Sequence, residues 1–311
     1  MKIVVTGAAG FIGSNLVKKL SEIGHSVLGI DALIDTTYSK ELKQTRWSNL
    51  ATIQNVKLQK IDMRTDKLEP LLNNSDLIFN LAAMPGLEDS WLNFELYQSC
   101  NINATQKLLE AIDNINRKVR LIHISTSSVY GKFADGVEGT EKIPSSPYGV
   151  TKLAAENLIR AYASNSTFDF NILRYFSVYG PGQRVDMAYS KFINSIYLGN
   201  AINVYGDGTQ SRTNTYIDDC VNATIAVMKN GENRSIYNVS GVEEIDILSS
   251  IKIIEELLSK KAKINYLSSR SGDQILTRGN IKKLIEDTGF VPKIGIREGL
   301  KYQVEHYLNS I

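Results

Sequence analysis

Residues 2–13 read KIVVTGAAGFIG. A short, β-branched apolar run enters a glycine-punctuated turn, which leads directly into a helix-like amphipathic stretch over residues 11–24. A strand that passes through such a turn into a helix begins a βαβ unit. Gly7, Gly10 and Gly13 meet three physical needs: a tight turn, close approach of backbone to a pyrophosphate, and close packing of helix on strand. The helix start, at Phe11 and Ile12, turns unpaired amides toward the phosphates. A glycine triplet alone is a weak signal, but between a first strand and a first helix it points to a bound dinucleotide.

The pattern continues outward from that turn. SVLGI, VKLQKI, DLIFNLA, VRLIHIS and FDFNILRYF read as further strands, with helices near 95–115 and from 147. Strands separated by helices predict an α/β fold: a Rossmann doubly wound parallel sheet with helices on both faces and right-handed crossovers. This domain spans residues 1–175, with later segments returning to it; residues 176–311 mainly form a smaller C-terminal α/β substrate lobe. Asp31 closes the second strand in LGID, where a carboxylate accepts bonds from an adenosine ribose and repels a 2′-phosphate. NAD is therefore expected rather than NADP. Asp62, in KIDMR, follows the third strand and suits either the adenine amine or a helix cap.

Composition narrows the functional class. The chain has 311 residues, is 43% hydrophobic and 22% charged, and carries a formal charge of +2, so nothing favours nucleic acid or an acidic membrane surface as a partner. Its two cysteines, Cys100 and Cys220, and three histidines, His25, His123 and His306, have neither disulfide-framework nor metal-site spacing, and a metal-independent enzyme is expected. The first strand begins at residue 2, and no run of about 18 apolar residues suggests a membrane span. A cytoplasmic protein without a signal peptide is the expectation.

SSPYGVTK, residues 145–152, supplies a reactive pair. Ser145 or Ser146 caps a helix that starts at Pro147, and Tyr148 and Lys152 then share one helix face. A phenol with a pKa of about 10 is a poor base at neutral pH; a neighbouring ammonium and a positive nicotinamide ring would favour the phenolate. The spacing alone is common. It gains meaning beside HISTSSVYG, residues 123–131, where Ser125, Thr126 and Ser127 bring hydroxyls to the end of the fifth strand, within reach of a substrate hydroxyl and the tyrosine oxygen.

TGAAGFIG, NLAA, STSSVYG, YGVTK, RYFSVYGPGQR, YGDGTQSRTNTYIDD and RSGDQILTRGNIKKLIEDTGFVP together resemble the extended short-chain dehydrogenase/reductases, specifically the NAD-dependent nucleotide-sugar epimerases and dehydratases, over nearly the whole chain. The resemblance implies NAD in the first domain, a nucleoside-diphosphate sugar in the smaller lobe and a homodimer. It assigns Met63, Leu81, Ala82 and Ala83 to the cofactor alongside the glycine turn, Asp31, Asp62, Tyr148 and Lys152. Asn80, where many members have histidine, and Ala104, in place of a frequent glycine, depart from the pattern without touching the proposed chemistry.

The reaction follows from the strand end. Family members that eliminate water or lose carbon dioxide resemble TDEVYG or TSEVYG there, whereas this chain has Ser127 and Ser128 and so lacks the acid and base that elimination needs. Epimerisation needs neither: Tyr148 takes the C4 hydroxyl proton, with Thr126 and Ser127 assisting, and hydride moves to NAD and returns to the other face of a 4-keto sugar. RYFSVYGPGQRVDMA, residues 174–188, most resembles the UDP-glucuronate 4-epimerases. Glucose/galactose epimerases usually have asparagine where Ser177 stands, and a small hydroxyl there leaves room for a C6 carboxylate. Arg184 suits a carboxylate or a diphosphate; the alternative is a surface loop arginine paired with Asp186.

By the same resemblance the backbone around Asn203–Tyr205, with Val204 and Tyr205, flanks the uracil, while Arg212 and Arg270, followed by Asp273, reach the diphosphate, each arginine being equally readable as a solvated charge. Pro85 and Gly86, in MPGLEDS, lie beside the sugar, as does Ser128. The expected activity is NAD-dependent C4 epimerisation of a UDP-sugar, UDP-glucuronate to UDP-galacturonate. Rival readings are the same reaction on UDP-glucose or UDP-N-acetylglucosamine, an inactive NAD-binding regulator, and a net oxidoreductase that consumes NAD stoichiometrically.

Overall fold

The apolar runs become the strands of one sheet. The computed structural model describes residues 1–34, 40–115, 117–166, 168–268, 274 and 276–311. Among these residues the main sheet has seven strands: β1 (Lys2–Thr6), β2 (Ser26–Asp31), β3 (Val56–Lys60), β4 (Leu77–Asn80), β5 (Arg120–Thr126), β6 (Asp169–Tyr175) and β7 (Ile236–Val239). Their spatial order is β7–β6–β5–β4–β1–β2–β3, with every pairing parallel. The order reverses between β1 and β4, and the crevice at that switch point is where an open α/β sheet takes its ligand.

The sheet is a middle layer because its side chains alternate. Ile3 and Val5 join one apolar layer with Leu16, Val17 and Leu20 of the Phe11–Glu22 helix, while Val4 joins the other with Leu108 and Leu109 of the Ala104–Asn114 helix. Each such fully buried aliphatic contributes about 1.5–3 kcal/mol. The structure is thus the doubly wound α/β fold expected from the sequence. The helix expected near 95–115 contains a π-turn over Gln98–Asn103 between the Phe94–Tyr97 and Ala104–Asn114 segments. A helix over Lys40–Ala51, not read from the sequence, occupies the second crossover; its weak amphipathicity gives no periodic signal.

The Pro147–Asn165 helix begins where its sequence says it should. Pro147 is the first residue, and the Ser146 hydroxyl oxygen accepts the Gly149 amide at 3.1 Å. Its buried face carries Ala155, Ile159 and Ala163, but also Lys152 and Glu156. Glu156 meets Arg174 of β6 in a two-pronged ion pair (Nε to Oε1 3.0 Å, NH2 to Oε2 2.6 Å) with both side chains fully buried. Ser125 donates to the same carboxylate, and Arg174 also donates to the Tyr130 hydroxyl and the Glu138 carbonyl. This cluster joins the helix, β5, β6 and the loop after β5.

Beyond β6 the chain builds smaller sheets. One runs Glu244–Asp246, Ser211–Thr213, Leu276–Thr277, Phe133–Ala134; the others pair Thr215–Tyr216 with Val178–Tyr179, and Lys263–Leu267 with Ala201–Tyr205. Phe133–Ala134 comes from the first half of the chain, and β7 returns from the second half to the main sheet. Among the described residues no helix is long and apolar enough to cross a membrane.

Candidate active site

A cleft of about 1320 Å³ opens at the switch point, bordered by the ends of β1, β2, β4, β5 and β6 and by the second half of the chain. At one end is the glycine turn. Gly7 has φ +68°, in the left-handed region, and its neighbours allow no side chain: a Cβ on Gly13 would stand 2.1 Å from the Gly7 carbonyl oxygen. Such a turn, with Gly10 capping the Phe11–Glu22 helix, fits a diphosphate. Gly13→Ala is expected to cost about 1–3 kcal/mol of packing strain and to weaken cofactor binding roughly tenfold to a hundredfold. The cofactor content of the purified variant and titration calorimetry measure this; binding as tight as in the parent would contradict it.

Asp31 ends β2 with its carboxylate fixed by the amides of Ala9 (3.0 Å) and Leu33 (2.9 Å). Asp62 lines the cleft, but its carboxylate is gripped by Arg64, a residue unread in the sequence (Nε to Oδ1 2.9 Å, NH2 to Oδ2 2.6 Å). That hydrogen bond holds the Asp62 pKa below the usual carboxylate range. Phe11, Ile12, Met63, Leu81, Ala82 and Ala83 border the same end of the cleft.

Tyr148 and Lys152 both face the cleft from one side of their helix. Burial raises the Tyr148 pKa, while a hydrogen bond with Thr126 and the charge of Arg184 pull it back down. Arg184 thus brings a second positive charge to the phenol, beside the Lys152 expected from the sequence. Lys152 Nζ lies 3.3 Å from Nε2 of His123, and burial lowers its pKa to about 8. Tyr97 packs edge-on to Tyr148, with ring centroids 6.2 Å apart, and its hydroxyl donates to the Pro85 carbonyl.

The hydroxyls at the end of β5 divide. Thr126 accepts the Ser128 amide and donates to the Ser128 hydroxyl, and Thr126, Ser127 and Ser128 all border the cleft. Ser125 borders the cleft too, but its hydroxyl proton goes to Glu156. Arg184 is not a surface arginine either. It does pair with Asp186 (Nε to Oδ1 2.8 Å), but it is 8% exposed and lines the cleft with Ser177. Its NH2 lies 4.0 Å from where a Cβ on Gly86 would be, and Gly86, at φ +111°, lets the loop pass that close.

Val204, Tyr205 and Arg212 also line the cleft. Arg212 donates to Thr277 Oγ1 (3.3 Å) and the Gln274 carbonyl (3.2 Å). Arg270 and Asp273 lie outside the described residues. Two positioning side chains escaped the sequence reading. Asn101, in the π-turn, holds both backbone polar groups of Met84 and the Thr151 hydroxyl; Gln274 donates to the carbonyls of Ser127 and Gly131. Asn80, read as remote from the chemistry, reaches it through His123, whose Nδ1 lies 3.0 Å from the Asn80 amide nitrogen.

Comparison with known proteins agrees with this geometry. Residues 3–240 match the family model described as NAD dependent epimerase/dehydratase family. The chain is 39% identical over 318 residues to an uncharacterized UDP-glucose epimerase of Bacillus subtilis, covering 100% of this chain and 99% of the relative. It is 37% identical over 306 residues to the UDP-glucuronate 4-epimerase of Thermodesulfobacterium geofontis, covering 97% and 94%. The solved UDP-glucuronic acid 4-epimerase from Bacillus cereus, in complex with UDP-glucuronic acid and NAD, superposes with a TM-score of 0.96 at 38% identity over 100% of both chains.

Proposed function

The chain belongs to the NAD-dependent epimerase/dehydratase family, and from that premise we propose that it inverts C4 of UDP-glucuronate to give UDP-galacturonate, and the reverse. The observation that carries the choice of sugar is the buried Arg184 beside Tyr148 and Gly86, in a cleft that Ser177 also lines. A guanidinium at the sugar end of the cleft suits a C6 carboxylate. The relatives described as UDP-glucuronate 4-epimerases support the same reading.

The glycine turn and Asp31 would hold the diphosphate and adenosine ribose of NAD. Bound NAD supplies hydride acceptance and return at C4. Tyr148 takes the C4 hydroxyl proton and later gives it back, with the Thr126 hydroxyl aligning the phenol. Ser127 and Ser128 place no carboxylate beside the sugar, so the keto intermediate meets no acid–base pair for elimination. That intermediate is a β-keto acid, which loses carbon dioxide when the carboxylate bond aligns with the carbonyl π system. Thr126, Ser127 and Ser177 act as neutral donors that hold the carboxylate out of alignment. Val204, Tyr205 and Arg212 take the nucleotide end, with Arg270 and Asp273 assigned there by family resemblance.

Proton NMR of the purified protein with UDP-glucuronate and trace NAD tests the reading. UDP-galacturonate without net NADH is expected, and Ser177→Ala is expected to release UDP-pentose as a by-product. A pentose from the parent protein would sink the argument from the missing acid; an inert UDP-glucuronate would sink the choice of sugar. The Bacillus subtilis relative makes UDP-glucose the second substrate on the panel. The same reading makes the protein a cytoplasmic homodimer, with a mass by light scattering of twice 34.6 kDa.

A further inference from the structure

The Lys40–Ala51 helix carries two cations on its inward face. Lys43, Arg46, Trp47 and Leu50 stand at i, i+3, i+4 and i+7, on one side of the helix. Trp47 and Leu50 pack on the apolar layer that holds Leu16 and Val17, whereas the two cations reach backbone carbonyls. Lys43 Nζ donates to the Ile34 carbonyl (2.9 Å), just beyond Asp31. Arg46 NH2 donates to the Gly182 carbonyl (2.5 Å), from 136 positions away in the chain. Gly182 belongs to the loop that delivers Arg184 to the cleft. Gly180, at φ +137°, and Gly182, at φ +76°, turn the chain, and the Gln183 amide closes the turn on the Gly180 carbonyl (3.0 Å). Gln183 ties that loop to the second half of the chain: its Nε2 donates to the Val178 carbonyl (2.9 Å), and its Oε1 accepts from Gln303 Nε2 (2.9 Å).

We infer that Arg46 is a positioning residue for Arg184: it ties the Gly180–Arg184 loop to the cofactor half of the molecule and so sets where the Arg184 guanidinium stands. A peptide unit is planar, so the bond that holds the Gly182 carbonyl also fixes the plane of the Gly182–Gln183 peptide, next to Arg184 in the chain. Glycines leave a loop many other conformations, and a loop held from the Gln183 side alone would pivot about Gly180 and Gly182. Arg184 depends on that constraint, because a guanidinium recognises an anion through donors in a fixed fork, which works only where its backbone is held. The consequence for the sugar rests on the reading of Arg184 as the partner of the C6 carboxylate. A loosened loop then costs affinity for a charged C6 group and leaves a C6 hydroxyl nearly unaffected, so a helix of the cofactor half helps to set the sugar preference.

Hydrogen exchange of the NAD-loaded protein, read by mass spectrometry over residues 178–187, tests the tie directly. Arg46→Met keeps most of the side chain and removes the donor. Exchange in that segment is expected to quicken about tenfold while β2 and β3 keep their protection. Unchanged exchange would overturn the inference whatever sugar the enzyme uses. Faster exchange spread over β2 and β3 would overturn it too, since Arg46 would then only pack its helix. The second readout is affinity by calorimetry, in a Tyr148→Phe background that prevents turnover. Arg46→Met is expected to weaken UDP-glucuronate about tenfold, the scale of one hydrogen bond to a charged group, and UDP-glucose by no more than about twofold. Quickened exchange with equal losses for the two sugars would leave the tie standing and sink the choice of sugar instead. Quickened exchange with both affinities unchanged would show that the loop does not set the place of Arg184, and the inference would fall.

Discussion

Tyr148→Phe is expected to lower kcat for C4 epimerisation by at least about 1,000-fold, within the range that a positioned acid–base group supplies, while leaving NAD and the sugar nucleotide bound. The substitution removes one oxygen and keeps the ring that packs against Tyr97. The helix start, with its Ser146 cap and Pro147, is untouched. What disappears is the one group in contact with Thr126 and under the influence of Arg184 that can take and return the C4 proton. Steady-state kinetics with UDP-glucuronate, paired with calorimetric titration of the same ligand, separates the outcomes. A large loss in kcat with an unchanged Kd is the expected pattern. A variant that retains more than about a tenth of the parent rate would place the proton transfer on another group.

The second large effect concerns folding. Removing one partner of a fully buried ion pair strands the other charge, at a cost of about 3–5 kcal/mol. Arg174→Met and Glu156→Leu are each expected to do this, because both side chains are inaccessible and share their bonds with Ser125 and Tyr130. For a chain of this size that corresponds to a fall in Tm of about 5–8 °C. The double variant Arg174→Met/Glu156→Leu removes both charges, and apolar replacement of a whole pair is often neutral, so it is expected to recover at least half of the loss. Thermal unfolding of the three variants decides it. A double variant as unstable as the sum of the two single variants would mean that the stranded charge is not the cause.

Features encoded by neighbours in sequence are legible without coordinates. The glycine turn, the Ser146–Pro147 helix start and the shared face of Tyr148 and Lys152 all depend on spacings of a few residues, which periodicity and capping rules read directly. The features that escape are contacts across the fold. His123 meets Asn80 from 43 positions away and Lys152 from 29; Asn101 meets Thr151 from 50. Register between parallel strands brings His123 to Asn80, and the packing of helices brings the others together; parallel strands are joined through long crossovers that carry no local signature. The likeness of RYFSVYGPGQR to a family gives no sign that Arg174 neutralises Glu156 or that the loop folds inward and buries Arg184. A shared helix face brings the lysine to the tyrosine's side of the cleft, but gives no sign that the lysine also meets a histidine of β5.

The interlaced strands have a consequence for how the protein can be divided. Phe133–Ala134 is stitched into the small sheet beside Leu276–Thr277, and Ile236–Val239 closes the edge of the large one beside Asp169–Tyr175. A fragment ending at residue 175 would carry an unprotected sheet edge and a strand without its neighbour, so neither half can be lifted out as a transplantable cassette. Swapping the sugar-recognition half between relatives would have to bring its matching seams along; single side-chain exchanges along the cleft wall are the shorter route to a new substrate.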